Sequence, residues 1–426
     1  MYDHPTVAFA TLGCRTNQAE TAQLTADLAD VCAIVPFSQE ADVYVVNTCT
    51  VTHEADRQSR QLVRRAHRTN PEARIVVTGC AVDFHPEEFG QLQGVSLVAR
   101  NAEKGQIARA VAEWYQAREG EWRPATPAES GHTRAWLKVS EGCNNRCAFC
   151  IVPTVRGREQ SVPPETLVER ARAYAALGYQ ELVLTGTHIG GYGKDLKTGL
   201  ASLIERLIAE VPAIKRFRVA SIEPIDFPPA LIERFASPEV CPSVHLCLQS
   251  GSTRILNAMR RRYNADQYRR LVARIRASRP DVAFTTDVIV GFPGEADDDF
   301  LETCRMVEEI GFAGVHLFPF SVREGTHAAT LPDRVPPAVI GERMERLEAI
   351  ATATRRRYQE GFIGQTVEVL TERTRAELRP GTTPHGLKVW VDAERTAPNQ
   401  RWLARIDRLE EEGPIATLLQ PLDARG

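Results

Sequence analysis

The chain of 426 residues lacks the long apolar run that a membrane-spanning helix requires. Its first residues, MYDHPTVAFATLG, also lack the basic start and apolar core of a secretory signal peptide, so we expect a cytoplasmic protein with no membrane partner. An excess of one charge is missing as well, because the formal net charge is only −3. The overall charge therefore neither indicates nor excludes a nucleic-acid partner, and any basic patch must be local.

Cysteine, in contrast, is well represented, and three of the ten cysteines lie close together in the stretch EGCNNRCAFCIVP. In a reducing compartment, clustered cysteines are more often metal ligands than disulfides. Cys143, Cys147 and Cys150 can hold three irons of a [4Fe–4S] cluster and leave the fourth iron open, which favours a reaction over electron storage. Zinc is the alternative, but a structural zinc site requires four ligands and the next cysteine is Cys241.

The N-terminal segment alternates short β-branched runs with helical patterns. Residues 6–12, 42–47 and 74–78 read as strands, and residues 17–30 and 53–69 read as helices. This alternation predicts an open α/β domain with a parallel sheet and covering helices.

Three further cysteines, Cys14, Cys49 and Cys80, each follow the end of one of these predicted strands. The loops after parallel strands share one edge of the sheet, where ligands bind, so the three thiols could converge on a second metal cluster. The alternative is that they are small buried apolar residues, as free cysteines often are. The other cysteines lack this placement and are predicted to be packing residues: Cys32, Cys241, Cys247 and Cys304.

The remaining sequence indicates two more domains after a linker. We expect an N-terminal domain over 1–117 and a linker with little periodicity over 118–133. Residues 134–357 contain about six βα units, which predict a partial or full (β/α) barrel whose active site lies at the carboxyl ends of its strands. Residues 358–426 consist of short strands and turns and predict a small β-barrel.

Several motifs together resemble the radical S-adenosylmethionine methylthiotransferases over nearly the whole chain. The motifs that carry this resemblance are TLGCRTNQAET, VVNTCTVT, VVTGC, GCNNRCAFCIVPTVRG, TGTHIGGYG, LQSGS, MRRRY, DVIVGFPGE and FPFSVREGT. The resemblance implies a central radical S-adenosylmethionine barrel and a C-terminal barrel of the TRAM type.

Within this family, TGTHIGGYG and MRRRY are most similar to the branch that acts on N6-threonylcarbamoyladenosine in tRNA. The resemblance implies that C2 of this nucleoside, at position 37 of tRNA, receives a methylthio group. Sister branches act on N6-isopentenyladenosine in tRNA or on an aspartate of a ribosomal protein, and both remain alternatives. A protein of another class, an RNA-binding protein with a non-catalytic zinc or iron–sulfur site, is a more distant alternative and predicts no cleavage of S-adenosylmethionine.

The resemblance also implies the cofactors and partners. Two [4Fe–4S] clusters are expected, one at Cys143, Cys147 and Cys150, which binds S-adenosylmethionine and makes these cysteines the catalytic ones. The other cluster, at Cys14, Cys49 and Cys80, is expected to carry the sulfur. A one-electron donor such as flavodoxin or ferredoxin is expected, and the chain is expected to be a monomer.

Residues at the strand ends are candidates for contacts with S-adenosylmethionine. The resemblance implies that the segment after the second barrel strand contacts the amino group of S-adenosylmethionine and that later strand ends contact its ribose and carboxylate. It also implies that Phe149 and the apolar run from Asp287 pack near the adenine. The alternative for each is that it satisfies the backbone of a loop or belongs to the core. The candidates are Phe149, Thr185, Gly186, Thr187, His188, Ser221, Glu223, Gln249, Asp287 and Gly291.

Two groups of residues are candidates for RNA contacts. An arginine stripe recurs at spacings of three and four, which places it on one helix face, although such a stripe is usually only a solvated face. Strand alternation places Lys388 beside Trp390, a possible stacking platform for a base, although Trp390 could belong to the core. The stripe consists of Arg57, Arg60, Arg64 and Arg68.

Overall fold

The computed structural model describes residues 5–29, 31–115, 133–374 and 376–422. The predicted linker 118–133 lies outside the described residues except for Thr133. Among the described helices, none is both long enough and apolar enough to cross a membrane.

The N-terminal residues form an open parallel sheet, as the alternation of strand and helix patterns predicted. Its strand order is β2-β1-β3-β4-β5, and each neighbouring pair is parallel. The predicted strands correspond to β1, β3 and β4, whereas β2 and β5 were not predicted. The strands are β1 (Thr6–Thr11), β2 (Ala33–Val35), β3 (Val43–Thr48), β4 (Arg74–Gly79) and β5 (Val95–Ala99).

Helices cover both faces of this sheet. Every residue of β3 is buried, and alternate residues point to opposite faces. Val43 and Val45 pack with Leu28 of the first helix on one face, whereas Tyr44 and Val46 pack on the other face with the second and fourth helices. The helices are α1 (Arg15–Ala29), α2 (His53–Thr69), α3 (Cys80–Phe84), α4 (Pro86–Gly90) and α5 (Ile107–Trp114).

The central residues form an open, partial barrel of parallel strands. The described strands form two sheets, β7-β6-β8-β9 and β10-β11-β12, in which β7 alone is antiparallel to its neighbour. Parallel bridges between Phe217 and Val240 and between Ile222 and Leu246 join the two sheets. The strands are β6 (Ala135–Glu141), β7 (Gln160–Ser161), β8 (Glu181–Gly186), β9 (Arg216–Val219), β10 (Ser243–His245), β11 (Ala283–Val290) and β12 (Gly314–Pro319).

Amphipathic helices pack on the outside of the partial barrel and share one large apolar core with it. Leu203 and Leu207 of one helix and Tyr268 of another are buried against strand residues such as Phe217. The helices are α6 (Val152–Arg156), α7 (Pro164–Ala176), α8 (Leu200–Glu210), α9 (Pro229–Phe235), α10 (Thr253–Ala258), α11 (Ala265–Ser278), α12 (Asp297–Ile310) and α13 (Pro337–Glu360).

The C-terminal residues form a small closed barrel with the strand order β13-β14-β15-β17-β16, which confirms the predicted β-barrel. Arg218 of β9 joins it to the partial barrel, because its guanidinium donates to the carbonyl oxygens of Thr383 (3.1 Å) and Pro384 (3.0 Å). The strands are β13 (Thr366–Thr371), β14 (Leu378–Thr382), β15 (Lys388–Asp392), β16 (Arg401–Glu410) and β17 (Gly413–Pro421).

The N-terminal sheet domain also packs directly on the partial barrel. Helix α1 contacts β6 and β8, so the carboxyl edge of the N-terminal sheet faces the barrel. The buried guanidinium of Arg323 pairs with Asp56 at 2.7 Å and donates to the hydroxyl of Thr50 at 2.6 Å. Both contacts lie near the loop that follows β3, which carries Cys49.

Candidate active site

Three cysteines occupy equivalent places at one edge of the N-terminal sheet. Strands β1, β3 and β4 are neighbours, and Cys14, Cys49 and Cys80 follow their carboxyl ends. Gly13 adopts a φ of +93°, and a Cβ atom there would lie 2.7 Å from the Sγ of Cys49, so the first two loops touch. The sheet therefore places the three cysteines after neighbouring strands, as predicted, and the convergence of their thiols on a metal cluster stays a prediction.

Two of these thiols, those of Cys49 and Cys80, lie where burial disfavours their ionisation. Burial, together with the neighbouring thiols of Cys80 and Cys14, raises the pKa of Cys49 to about 12. Burial also raises the pKa of Cys80, although the charge of Arg156 opposes this. Metal ligation requires thiolates, so two buried thiols and an exposed one beside a fixed cation fit an iron–sulfur cluster.

Arg156 is the buried cation beside this set. Its Nε donates to the Sγ of Cys80 at 3.0 Å, and its Nη1 contacts Glu20 at 2.8 Å and Glu141 at 2.7 Å. The side chain is only 2% exposed. Arg156 belongs to the segment CIVPTVRG after Cys150, so one residue of the central domain contacts a thiol of the N-terminal domain. Our reading of the sequence missed this residue.

The second set of thiols lies in the loop between β6 and α6. The amide of Cys143 donates to the carbonyl of Gly157 at 3.1 Å, and that of Cys150 donates to the carbonyl of Cys147 at 3.1 Å. Gly142 adopts a φ of +69°, and a Cβ atom there would lie 2.0 Å from the carbonyl oxygen of a neighbouring loop. Burial raises the pKa of Cys143 to about 11 and that of Cys150 to about 12.

A second buried arginine contacts this set. The Nη1 of Arg261 lies 3.0 Å from the Sγ of Cys147, its Nε donates to the hydroxyl of Tyr263 at 3.2 Å, and its Nη2 pairs with Glu223. Burial raises the pKa of Glu223, although the charge of Arg261 opposes this. These residues line a cavity of about 330 Å³ next to Cys147. The motif MRRRY contains Arg261, but the sequence did not indicate which of its arginines faces the thiols.

The other predicted cofactor contacts lie at or near the carboxyl ends of the barrel strands. Thr185 and Gly186 end β8, and the hydroxyl of Thr187 donates to Glu141 at 3.1 Å. Ser221 follows β9 and is exposed. Phe149 packs against a small apolar cluster that includes Ala148, Met259 and Phe292.

Two further candidates lie side by side across the barrel. Gln249 adopts a φ of +65°, and its amide donates to the carbonyl of Asp287 in β11 at 2.8 Å. The carboxylate of Asp287 lies 3.2 Å from the Nε2 of His245. Gly291 follows β11 with a φ of +81°. The structure thus groups these candidates at one end of the barrel, and their contacts with S-adenosylmethionine stay predictions.

His188 has a different environment from the others. Its Nδ1 lies 3.1 Å from Glu159, and its Nε2 lies 2.8 Å from Asp226 and 3.2 Å from the amide nitrogen of Asn145. Burial lowers the pKa of His188, but the hydrogen bonds and charges of Asp226 and Glu159 outweigh this effect and raise the pKa to about 9. Both ring nitrogens already have protein partners, so the ring anchors the loop after β8. The predicted contact of His188 with S-adenosylmethionine stays a prediction.

A separate cavity of about 450 Å³ lies where the three domains meet. Arg15 at the start of α1 lines it, together with His245 and His316 of the partial barrel, Arg355 of α13 and Lys388 of β15. Burial lowers the pKa of Arg15, and the nearby arginines Arg134 and Arg218 lower it further. Our reading of the sequence singled out none of these residues except Lys388.

The predicted RNA-contacting residues lie on two surfaces. In the arginine stripe of α2, Arg57 pairs with Glu54 at 2.6 Å and Arg60 lies 3.2 Å from Glu88. In contrast, Arg64 and Arg68 form no ion pair with a carboxylate among the described residues. Together with Arg65 they line a surface depression. In the C-terminal barrel, the ammonium group of Lys388 lies 4.5 Å from the ring centroid of Trp390, so the two side chains share a face as predicted.

Comparisons with known proteins agree with this architecture. Residues 137–307 match the family model described as the radical SAM superfamily, and residues 6–99 match the one described as uncharacterized protein family UPF0004. Both sets of candidate cysteines lie inside these matched ranges.

Relatives with established names align with most of the chain. It is 39% identical to the threonylcarbamoyladenosine tRNA methylthiotransferase MtaB of Chlamydia pneumoniae, over 96% of this chain and 97% of that protein. It is 38% identical to the MtaB protein of Bacillus subtilis, over 86% and 85% of the two chains. It is also 35% identical to a tRNA-2-methylthio-N(6)-dimethylallyladenosine synthase of a Nocardioides species, over 84% and 76%.

Solved structures share the fold at low sequence identity. The radical S-adenosylmethionine methyltransferase TsrM of Kitasatospora setae, solved with cobalamin and a [4Fe–4S] cluster, superposes with a TM-score of 0.55 at 14% identity, over 74% of this chain and 75% of that one. The cobalamin-dependent radical enzyme OxsB superposes with a TM-score of 0.52 at 12% identity, over 82% and 56%. At these identities the likeness concerns the fold alone.

Proposed function

The chain belongs to the radical S-adenosylmethionine methylthiotransferases, and from this premise we propose that it methylthiolates C2 of N6-threonylcarbamoyladenosine in tRNA. The main support for this substrate is the alignment with the threonylcarbamoyladenosine tRNA methylthiotransferase of Chlamydia pneumoniae, which spans nearly the full length of both chains. Three dimethylallyladenosine synthases are 34–35% identical over 84% of the chain, a lower identity and a smaller share than the Chlamydia pneumoniae protein, which makes the alternative substrate weaker.

As a member of this family, the chain acts with an iron–sulfur cluster and S-adenosylmethionine on tRNA. We propose that two [4Fe–4S] clusters are present. One is held by Cys143, Cys147 and Cys150, and the other is held by the three cysteines that follow the strands of the N-terminal sheet, called the strand-end set. When bound, these groups and S-adenosylmethionine supply the one-electron chemistry and the inserted sulfur. The strand-end set consists of Cys14, Cys49 and Cys80.

The protein's own residues bind and orient these groups. Arg156 and Arg261 each place a guanidinium nitrogen 3.0 Å from a thiol sulfur, which supplies a hydrogen bond and a positive charge to a thiolate. Gly186 at the end of β8 packs closely on β6, because a Cβ atom there would lie 2.4 Å from the hydroxyl oxygen of Ser140. Docking of α1 against β6 and β8 brings the N-terminal domain against the barrel.

The proposal also includes the domain bounds, the cofactor contacts, the electron donor and the oligomeric state. The domains are 1–117, 134–357 and 358–426, joined by a linker over 118–133. The proposed cofactor contacts are Phe149, Thr185, Gly186, Thr187, His188, Ser221, Glu223, Gln249, Asp287 and Gly291. A flavodoxin or ferredoxin supplies the electron, and the chain acts as a monomer.

The test is nucleoside mass spectrometry of total tRNA from cells with and without the gene. Loss of 2-methylthio-N6-threonylcarbamoyladenosine, with accumulation of its unthiolated precursor, is the expected result. Complementation with the intact gene should restore the product, whereas a gene carrying Cys147→Ala should not. An unchanged level of this nucleoside would overturn the proposed substrate, and loss of methylthiolated isopentenyladenosine instead would assign the chain to the sister branch.

A further inference from the structure

The cavity where the three domains meet carries an excess of positive charge. Five cationic side chains line it against two carboxylates, those of Glu411 and Glu412. Two of the five have carboxylate neighbours, because Arg218 pairs with Glu181 at 2.7 Å and Arg134 lies 3.7 Å from Glu372. The five are Arg15, Arg134, Arg218, Arg355 and Lys388.

Arg15 links this cavity to the candidate cluster loop of the N-terminal sheet. It directly follows Cys14, and its guanidinium carbon lies 5.9 Å from the ring centroid of Trp136 in β6. Among the described residues, no carboxylate forms an ion pair with Arg15. Its side chain is open to the cavity, so it can meet an incoming anion.

One wall of this cavity adjoins a proposed contact with S-adenosylmethionine. His245 lines it, and the Nε2 of His245 lies 3.2 Å from Asp287, one of the proposed contacts with S-adenosylmethionine. A group in this cavity would therefore lie between a neighbour of Cys14 and a neighbour of Asp287.

We propose that Arg15 binds the threonyl carboxylate of N6-threonylcarbamoyladenosine and thereby selects this nucleoside over N6-isopentenyladenosine. This inference rests on the proposed function. A planar guanidinium matches a carboxylate with two parallel hydrogen bonds, which a compact ammonium group cannot reproduce. The isopentenyl group is an uncharged hydrocarbon, so it would bury the cation of Arg15 without a partner, and this costs free energy.

The experiment compares anticodon stem-loops that differ only in the charge of this group. Labelled stem-loops carry N6-threonylcarbamoyladenosine, its uncharged methyl ester or N6-isopentenyladenosine. Their affinity for the anaerobically reconstituted full chain is measured by fluorescence anisotropy, and their methylthiolation is measured separately. The variants are Arg15→Leu and Arg15→Lys. The matched control is Arg109→Leu, which replaces an exposed arginine of α5 that pairs with Glu113.

The unsubstituted chain should bind the acid at least about 30-fold more tightly than the ester. Arg15→Leu should remove this preference, Arg15→Lys should retain part of it, and Arg109→Leu should leave it unchanged. If Arg15→Leu weakened the acid and the ester equally, Arg15 would bind a backbone phosphate or support the fold, and the inference would be overturned.

Failure of the inference and failure of the proposed function give different results. If the unsubstituted chain methylthiolated the acid and the ester equally well, selection by the carboxylate would be wrong while the reaction stood. If it methylthiolated only the isopentenyladenosine stem-loop, the proposed substrate itself would be wrong. The iron content and the thermal midpoint of each variant establish that it contains its clusters and is folded. If Arg15→Leu does not fold, the affinities of Arg15→Lys for the acid and the ester still test the inference.

Discussion

The Nε of Arg156 lies 3.0 Å from the Sγ of Cys80, although the two residues belong to different domains. The Nη1 of Arg261 lies at the same distance from the Sγ of Cys147. Each candidate cluster site thus has one buried arginine against one of its thiols. Both arginines are also held by carboxylates, so their positions are fixed before any metal binds.

Arg156→Leu is expected to lower the reduction potential of the cluster at the strand-end set. A cation that donates a hydrogen bond to a ligand sulfur stabilises the reduced cluster, because the reduced cluster carries more negative charge. The free energy of a hydrogen bond to a charged group corresponds to a shift of roughly 60–130 mV in a one-electron potential. The measurement is a redox titration followed by electron paramagnetic resonance. It is made in a background with alanine at Cys143, Cys147 and Cys150, so that one cluster contributes the signal.

The variant should fold, because the carboxylates that contact Arg156 keep other partners. Lys104 and Lys138 pair with Glu20, and Lys138 also pairs with Glu141. Arg156→Lys retains the charge and should shift the potential less. An unchanged potential in Arg156→Leu would show that this arginine only joins the two domains.

Iron analysis is expected to find about eight irons per chain and about four after alanine replaces all three cysteines of either set. Cys32→Ala is the matched control, because Cys32 is a buried core thiol whose pKa is raised to about 12 by burial. It should keep the full iron content. About four irons in the unsubstituted chain, all lost with Cys143, Cys147 and Cys150, would contradict the proposal of a second cluster.

The sequence predicted the placement of both thiol sets because strand runs are local signals. The run VYVVN is apolar and β-branched, and the whole of β3 is buried, so the position of Cys49 after it could be read directly. The short strands β2 and β10 have three residues each and carry no usable periodicity. Their pairing depends on neighbours that are distant in sequence.

The arginines beside the thiols could not be assigned from the sequence for a related reason. Arg156 contacts Glu20 across 136 positions of the chain, and its contact with Cys80 depends on how two domains dock. Arginine is common on surfaces, so its type and spacing do not show which copies are buried. Arg15 is similar, because the cavity that it lines is formed by three domains.

The stability of the chain is expected to fall between about pH 6.5 and pH 9 because of His188. The hydrogen bonds and charges of Asp226 and Glu159 raise the pKa of this buried residue from 6.5 to about 9. A group whose pKa is higher in the folded than in the unfolded protein stabilises the fold at a pH below its pKa in the unfolded protein. This stabilisation disappears as the pH rises through the pKa in the folded protein. For His188 it amounts to roughly 3 kcal/mol. The thermal midpoint should fall by roughly 3 °C over this range.

His188→Gln is the control, since glutamine can form a hydrogen bond but does not titrate. This variant should have a lower thermal midpoint than the unsubstituted chain at pH 6 and a flatter profile above it. Parallel profiles for the two proteins would show that another group causes the pH dependence.

Arg64 and Arg68 are expected to contribute to tRNA affinity, whereas Arg57 is not. Arg57 pairs with Glu54, but in the described part of the chain neither Arg64 nor Arg68 has an ion-pair partner, and both line the depression on α2. Each phosphate contact that is lost reduces the slope of log affinity against log salt by roughly 0.7–0.9. Arg64→Gln with Arg68→Gln should therefore reduce this slope by roughly 1.5, as measured by fluorescence anisotropy over a salt series.

Arg57→Gln is the matched control for this pair, because it removes an arginine from the same helix whose charge Glu54 already offsets. It should leave the salt dependence nearly unchanged. Equal slopes for all three proteins would mean that the stripe is a solvated helix face. The tRNA backbone would then have to be bound elsewhere, and the cationic cavity that contains Arg15 and Lys388 would be the next surface to vary.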